Sequence, residues 1–412
     1  MSTTTATTTI SSGHEGTIRD QVKNYFVRVK SGEMGALPSV ISLIFLTGLF
    51  ASLNPYFLTK LNFANLLVQS ATLMMLSMAL VFVILIAEID LSAGVTSGLS
   101  MAFFIILTNK AGWDWRVSIL AGFVVGFLVG SFIGFFVAKV GVPSFVVTLG
   151  LFLGFQGLQL ALLGDGGIYR VEVPELKAIM NDNMPAWAGW LMLSTFLVLT
   201  LLINFYDRMR RKKSNLPNRP LILLFIKLGV MTGLGAGCVA ILNVNRSLSS
   251  VAIGGVPIVM PFAITILFVG TLILDRTRFG RHLYAVGGNP EAARRAGIKV
   301  AKIRMSAFII CSMLAVVAGI FNASRIGAVE ATAGKSMVLS GVAAAVVGGV
   351  SLFGGRGRLA HAAVGAVVIS IIDNGLGLLG LPAGINFLVT GGVLILAATV
   401  DAVSRKRAGA TK

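Results

Sequence analysis

Along this chain, long apolar runs alternate with short polar intervals, and the runs have the length of membrane-crossing helices. A hydrocarbon layer of ~30 Å is crossed by about 20 helical residues. On that ruler, spans fall near 38–57, 63–87, 91–108, 117–138, 143–163, 187–206, 221–242, 257–274, 305–327, 336–352, 358–380 and 384–402. The runs are too long for tilted membrane strands and lack their period of two, which sets a barrel aside. The expectation is an all-α, polytopic transmembrane bundle of about twelve spans over 38–402, with a polar tail over 1–37 and a basic tail over 403–412. Two places interrupt the pattern and predict broken or re-entrant helices: the junction Ala87-Glu88-Ile89-Asp90 and the Gly-rich run near 336–352.

Composition agrees. Only 12% of the 412 residues are charged, against about 25% in soluble domains. The net charge of +18 would suit a nucleic-acid binder if it were spread over one surface, but it is concentrated between apolar runs. Asp207–Arg219 carries +5 and Asp275–Arg304 carries +6, so both loops are expected on the cytoplasmic side. Even numbers of spans separate these loops from each other and from both termini, which places both termini inside. By the same parity the Gly164–Ala186 loop falls outside, and its net charge of −2 agrees. The first 36 residues contain no cleavable apolar stretch, so the first span directs insertion.

Enzyme chemistry finds no foothold. There are three histidines, with His14 in the tail and His282 and His361 in or beside basic loops, and there is no HExxH, CxxC or Walker A motif. Cys238 and Cys311 stand in apolar runs without His or Cys neighbours and read as packing residues. Gly122, Gly126, Gly130 and Gly134 repeat at every fourth position and make a small face for close helix approach.

The sharpest local signal lies in the second basic loop, at Gly287-Gly288-Asn289-Pro290-Glu291-Ala292-Ala293-Arg294-Arg295-Ala296-Gly297. Asn289 is a helix cap, Pro290 suits the first helical position, Glu291 and Arg295 are spaced i,i+4, and Gly297 suits a helix end. So short a helix is marginal alone, which leaves two readings: a docking helix held by a partner, or a solvated connector. A second signal is Glu88-Ile89-Asp90-Leu91-Ser92, two carboxylates between apolar runs. Asp90 reads either as a cap for the next helix or as a group in a conformational or transport role. Gln69, Gln156, Gln159, Asn322, Asn374 and Asn386 lie in or near spans, where they either line a cavity or tie helices together.

These segments carry a resemblance. Glu88–Gly94, Gly141–Gly150, Gly280–Ala293 and Val347–Gly355 resemble the membrane permease subunits of bacterial monosaccharide ABC importers of the ribose/xylose type, from about residue 40 to 402. The chain's length and additional central spans are more similar to the xylose branch. Glu88 departs from the family's common Gly-Ile-Asp-Leu-Ser form, so Asp90 is the firmer family residue. The resemblance implies a homodimer with a second permease copy in a bacterial cytoplasmic membrane, no catalytic residue and no cofactor on this chain, and no nucleic acid. It also implies an ATP-binding subunit that uses MgATP and an extracytoplasmic sugar-binding protein. Residues 288–297 would then couple to the ATPase, with Glu88, Asp90, Ser92, Gln69, Gln156, Asn322 and Asn374 as conformational or pathway candidates. A permease for branched-chain amino acids, nucleosides or another small polar solute, a non-transporting scaffold, and an ion-driven symporter are the rival expectations.

Overall fold

The computed structural model describes residues 37–216, 220–247 and 249–410; the polar tail lies outside them except for Leu37. Five apolar helices come first: α1 (Leu37–Leu53), α2 (Lys60–Ile84), α3 (Ala93–Asn109), α4 (Trp115–Phe135) and α5 (Ser144–Leu163). A π turn at Phe136–Val140 ends α4 at Gly141. Next come a short strand β1 (Ile168–Arg170), the surface helix α6 (Pro174–Asn181), and α7 (Ala186–Lys213), α8 (Leu221–Asn243) and α9 (Val259–Arg276). The second basic loop holds α10 (Arg278–Gly288) and α11 (Pro290–Arg295). The chain finishes with α12 (Val300–Ile326), strand β2 (Ala328–Glu330), α13 (Met337–Val347), α14 (Leu359–Leu378) and α15 (Ala383–Ala410). Nine of these helices are long and apolar enough to cross a membrane, and α1, α3 and α13 are shorter apolar helices, giving twelve among the described residues. The protein is an all-α polytopic membrane protein, and α13, at 11 residues, is the broken element expected near 336–352.

Two sets of four helices pack in the same order. α12 lies on α4 and α3 as α2 lies on α14 and α13; α3 contacts α4 and α5 as α13 contacts α14 and α15; and α2 and α12 cross each other at the centre. Because α2 and α12 run in opposite directions through the layer, the halves α2–α5 and α12–α15 form an inverted pair of the kind that places solute sites at the seam of transporters. Burial separates centre from rim: 78% of the most apolar stretch of α2 is buried, against 6% in α8. The α7–α8 hairpin therefore sits at the edge, where its apolar side chains meet lipid.

The repeated small face on α4 is used inside the chain. A side chain at Gly130 would press on the Ile309 and Phe308 backbone and one at Gly134 on Met305, all on α12. This close approach joins the two halves, so the face is already occupied within one protomer.

Loop contacts sort the helix ends into two faces. On one, β1 pairs antiparallel with β2, with Tyr169 opposite Val329, and Met184 N–H donates to the Val256 carbonyl. On the other, Asp207 and Arg276 pair at 2.6 Å, and Gly355 N–H donates to the Leu85 carbonyl at 2.8 Å. This second face carries both basic loops, and the parity of the spans predicts the same grouping.

Candidate functional site

The four motif segments, distant in sequence, meet on the basic face. Gly287, in the last turn of α10, lies directly against the Leu85 carbonyl, where any side chain would overlap it. Tyr284, on the same helix, donates its hydroxyl to the Gly357 carbonyl at 2.8 Å; burial, its main cause, pushes the phenol pKa up to about 12, so the group stays a donor. The next turn of the hinge is held from α5, where Ser144 Oγ accepts from Ile89 N–H and Thr148 Oγ1 donates to the Ile89 carbonyl, both at 3.3 Å. The α10 helix is thus seated against both the α2–α3 hinge and the Gly354–Gly357 turn that leads into α14.

The short α11 helix projects from this platform. Asn289 Oδ1 accepts from Ala292 N–H at 3.0 Å and Pro290 occupies the first turn. Gly297, at φ 80°, donates to the Arg294 carbonyl while Ile298 N–H reaches the Ala293 carbonyl, the double bond of a Schellman ending. Ala293 is buried, whereas Gly288, Glu291, Ala292, Arg294 and Arg295 are exposed. The ion pair on its surface joins Glu291 to Arg294 at i,i+3 and 3.2 Å, replacing the i,i+4 pairing with Arg295 that the spacing suggests. In one turn and a half, the i+3 partner lies over the same edge as Glu291.

The hinge carboxylates differ from one another. Glu88 lies 3.5 Å from Arg304, both side chains largely shielded. Asp90 is fully buried; its Oδ1 accepts from Ser92 N–H at 2.9 Å and from Ser92 Oγ at 2.6 Å. That is an Asx turn leading into α3, whose N-cap residue Ser92 makes no side-chain cap bond of its own.

At the far ends of the same helices lies a cavity of about 320 Å³, at the small end of the ~300–1,000 Å³ usual for small-molecule sites. Gln69 and Thr72 of α2, Asn322 and Arg325 of α12, Ser336 and Ser340 at the start of α13, Ser370 and Asp373 of α14, and Asn386 and Thr390 of α15 line it. Leu73, Met337, Ala383 and Phe387 supply an apolar part of the wall, and both Thr72 Oγ1 and Asn386 Oδ1 are without a hydrogen-bond partner. Ser336 stands at the N-cap of α13 without a side-chain cap bond, leaving first-turn N–H groups beside the cavity. Hydroxyls, amides, a guanidinium and a carboxylate together suit a small solute rich in hydroxyl groups.

The other polar candidates separate. Gln69 and Asn322 line the cavity. Asn374 exchanges amide bonds with Asn62 at 2.8 and 3.0 Å and donates to Gln69 at 3.3 Å, tying α14 to α2. Gln156 is outside the cavity lining, its Nε2 buried and unpartnered. Sequence reasoning missed Asp373 and Arg325. The available signal was an ionisable residue inside a predicted span, and each meets that description. Among the described residues no three His, Cys, Asp or Glu side chains gather as metal ligands.

Residues 62–398 match the family model described as branched-chain amino acid transport system / permease component. The xylose transport system permease protein XylH of Escherichia coli K12 is 33% identical over 85% of this chain and 87% of its own. The chain belongs to the monosaccharide ABC importer permeases of the xylose/ribose type. The ribose import permease protein RbsC of Bacillus subtilis is 31% identical over 90% of this chain and 94% of its own, and the D-allose transport system permease protein AlsC of E. coli K12 is 26% identical over 88% and 90%. No solved structure matches. As in the rest of this family, the permease subunit carries no ATPase domain and is not an enzyme.

Proposed function

We propose that two copies of this chain form the membrane channel of an importer for xylose or a related pentose or hexose, working by alternating access. The basic face is cytoplasmic, with both termini, and α11 seats in a groove of the ATP-binding subunit. The opposite face receives a sugar-binding protein that delivers the solute to the Arg325–Asp373 cavity. One observation carries this reading: the polar cavity and the α10–α11 platform lie at opposite ends of the same packed helices, α2, α13 and α14. Movement of the platform is therefore transmitted through helices that also wall the cavity, and nucleotide chemistry on the partner biases which side is open.

The test is uptake by vesicles containing the permease, its ATPase and its receptor, offered D-xylose, D-ribose, D-allose and L-leucine. ATP-dependent accumulation of one of the sugars is expected. Accumulation without ATP that collapses when an ion gradient is dissipated would establish a symporter instead, and accumulation of leucine alone would overturn the choice of solute.

A further inference from the structure

A line of side-chain amides runs along the seam of α2 and α14 to the wall of the cavity. Asn62 and Gln69 stand about two turns apart on one face of α2, and Asn374 meets both of them from α14. Asn62 and Asn374 are buried. A backbone carbonyl can only accept, so the Phe57 carbonyl, 2.8 Å from Asn62 Nδ2, decides which way the Asn62 amide is turned. The second Nδ2 hydrogen of Asn62 goes to Asn374 Oδ1 at 2.8 Å, and Asn374 Nδ2 donates in return to Asn62 Oδ1 at 3.0 Å. Turning both amides over would keep this reciprocal pair but set Asn62 Oδ1 against the Phe57 oxygen. Asn374 Nδ2 has one hydrogen left, and it goes to Gln69 Oε1 at 3.3 Å.

The polarity set at Phe57 therefore reaches Gln69 with its carbonyl already engaged. Among the described residues nothing accepts from Gln69 Nε2, and Gln69 lines the cavity. We propose that Gln69 is a specificity-determining donor whose Nε2 gives a hydrogen bond to one hydroxyl oxygen of the bound sugar, and that Asn62 and Asn374 are positioning residues that hold the amide in that sense. A hydroxyl suits this place better than a ring oxygen. It accepts from Gln69 and passes its own proton to Thr72 Oγ1, about one turn further along α2, which lines the same cavity and is unpartnered. The inference rests on the import reading above and gives one hydrogen bond within it a direction.

Sugar analogues distinguish the two directions: fluorine in place of a hydroxyl accepts weakly and cannot donate, whereas hydrogen does neither. Ser340→Cys, in the cavity wall of a Cys238→Ser, Cys311→Ser chain, is labelled by a membrane-impermeant thiol reagent added on the side away from the ATPase. The vesicles hold the resting permease and ATPase without the receptor, so that protection from labelling reports the cavity alone. The protecting solutes are whichever panel sugar the complete importer accumulates and its monodeoxy and deoxyfluoro analogues. At one position the fluoro analogue should protect at about fivefold lower concentration than the deoxy analogue, roughly the effect of one hydrogen bond. This contrast requires no variant at the amides. Gln69→Met should abolish it. Asn374→Asp should abolish it from a distance: in either protonation state an aspartate has at most one proton to give, Asn62 Oδ1 takes it, and Gln69 turns its Nε2 to the carboxyl group and its Oε1 to the cavity. The parent sugar can donate to that oxygen and should still protect within about threefold. Mere loosening of the α2–α14 seam would weaken every analogue alike and keep the contrast. Equal protection by fluoro and deoxy analogues at every position, or a contrast that survives either variant, overturns the assignment. Uptake by the complete importer separates the two claims: sugar uptake without the contrast removes the role of Gln69 alone, and absence of sugar uptake removes the import reading with it.

Discussion

At residues 85–92 a long helix gives way to the short α3, and at residues 327–336 another gives way to the short α13. The two breaks occupy corresponding places in the inverted halves and touch each other, since Gly94 and Gly334 each stand where a side chain would strike the other's carbonyl. Their contents differ. The first is filled: Asp90 is wrapped by Ser92, Ile89 is held by Ser144 and Thr148, and Glu88 is paired with Arg304. The second borders the 320 Å³ cavity with an uncapped Ser336 and an unpartnered Thr72. One architecture thus holds a closed station and an open one, and the difference indicates that this conformation favours the face opposite the basic loops.

The comparison can be broken at the platform first. Gly287→Val should abolish ATP-dependent uptake, because the side chain would overlap the Leu85 carbonyl and unseat α10 from the closed break. Gly288→Ala, where nothing lies within 4 Å, should retain it. Uptake together with a thermal unfolding curve separates loss of coupling from loss of fold. At the open break, Asp373→Asn and Arg325→Gln should each raise the KM for sugar about tenfold, about 1.4 kcal/mol of lost solute binding, with ATPase association unchanged in a pull-down. Asn289→Ala removes the cap on α11, worth about 1 kcal/mol, and should weaken ATPase association about fivefold. The smallest effect on stability belongs to Arg294→Glu. Its ion pair with Glu291 is two-thirds exposed on both sides, so the unfolding temperature should not move, while uptake falls about twofold or more through the changed charge at the docking surface.

Much of this was readable from residue order. The twelve apolar helices follow from run lengths, the two faces from charge parity, and the Asn289 cap and Gly297 ending from residue type alone. The first break announced itself through Glu88-Ile89-Asp90, and the Gly-rich run near 336–352 announced the short α13 but not the break at 327–336 that precedes it. Side-chain azimuth was the limit. Asn374 and Asp373 are neighbours in an apolar run, yet the ~100° turn between consecutive helical residues sends one into a ladder with Asn62 and Gln69 and the other into the cavity wall. The α4 glycines gave a close-packing face without naming its partner, because α12 arrives from more than 150 residues away. Thr72 carries no local pattern at all; only the crossing of α2 with α12 brings it to one wall with Arg325.

In the proposed importer, nucleotide bound at the basic face controls the cavity on the other. Ser340→Cys, placed in the cavity wall in a Cys238→Ser, Cys311→Ser chain, reports it directly through its rate of labelling by a membrane-impermeant thiol reagent added on the side away from the ATPase. Trapping the reconstituted importer with ATP and vanadate should slow this labelling about tenfold or more. An unchanged rate while ATP is hydrolysed would contradict it.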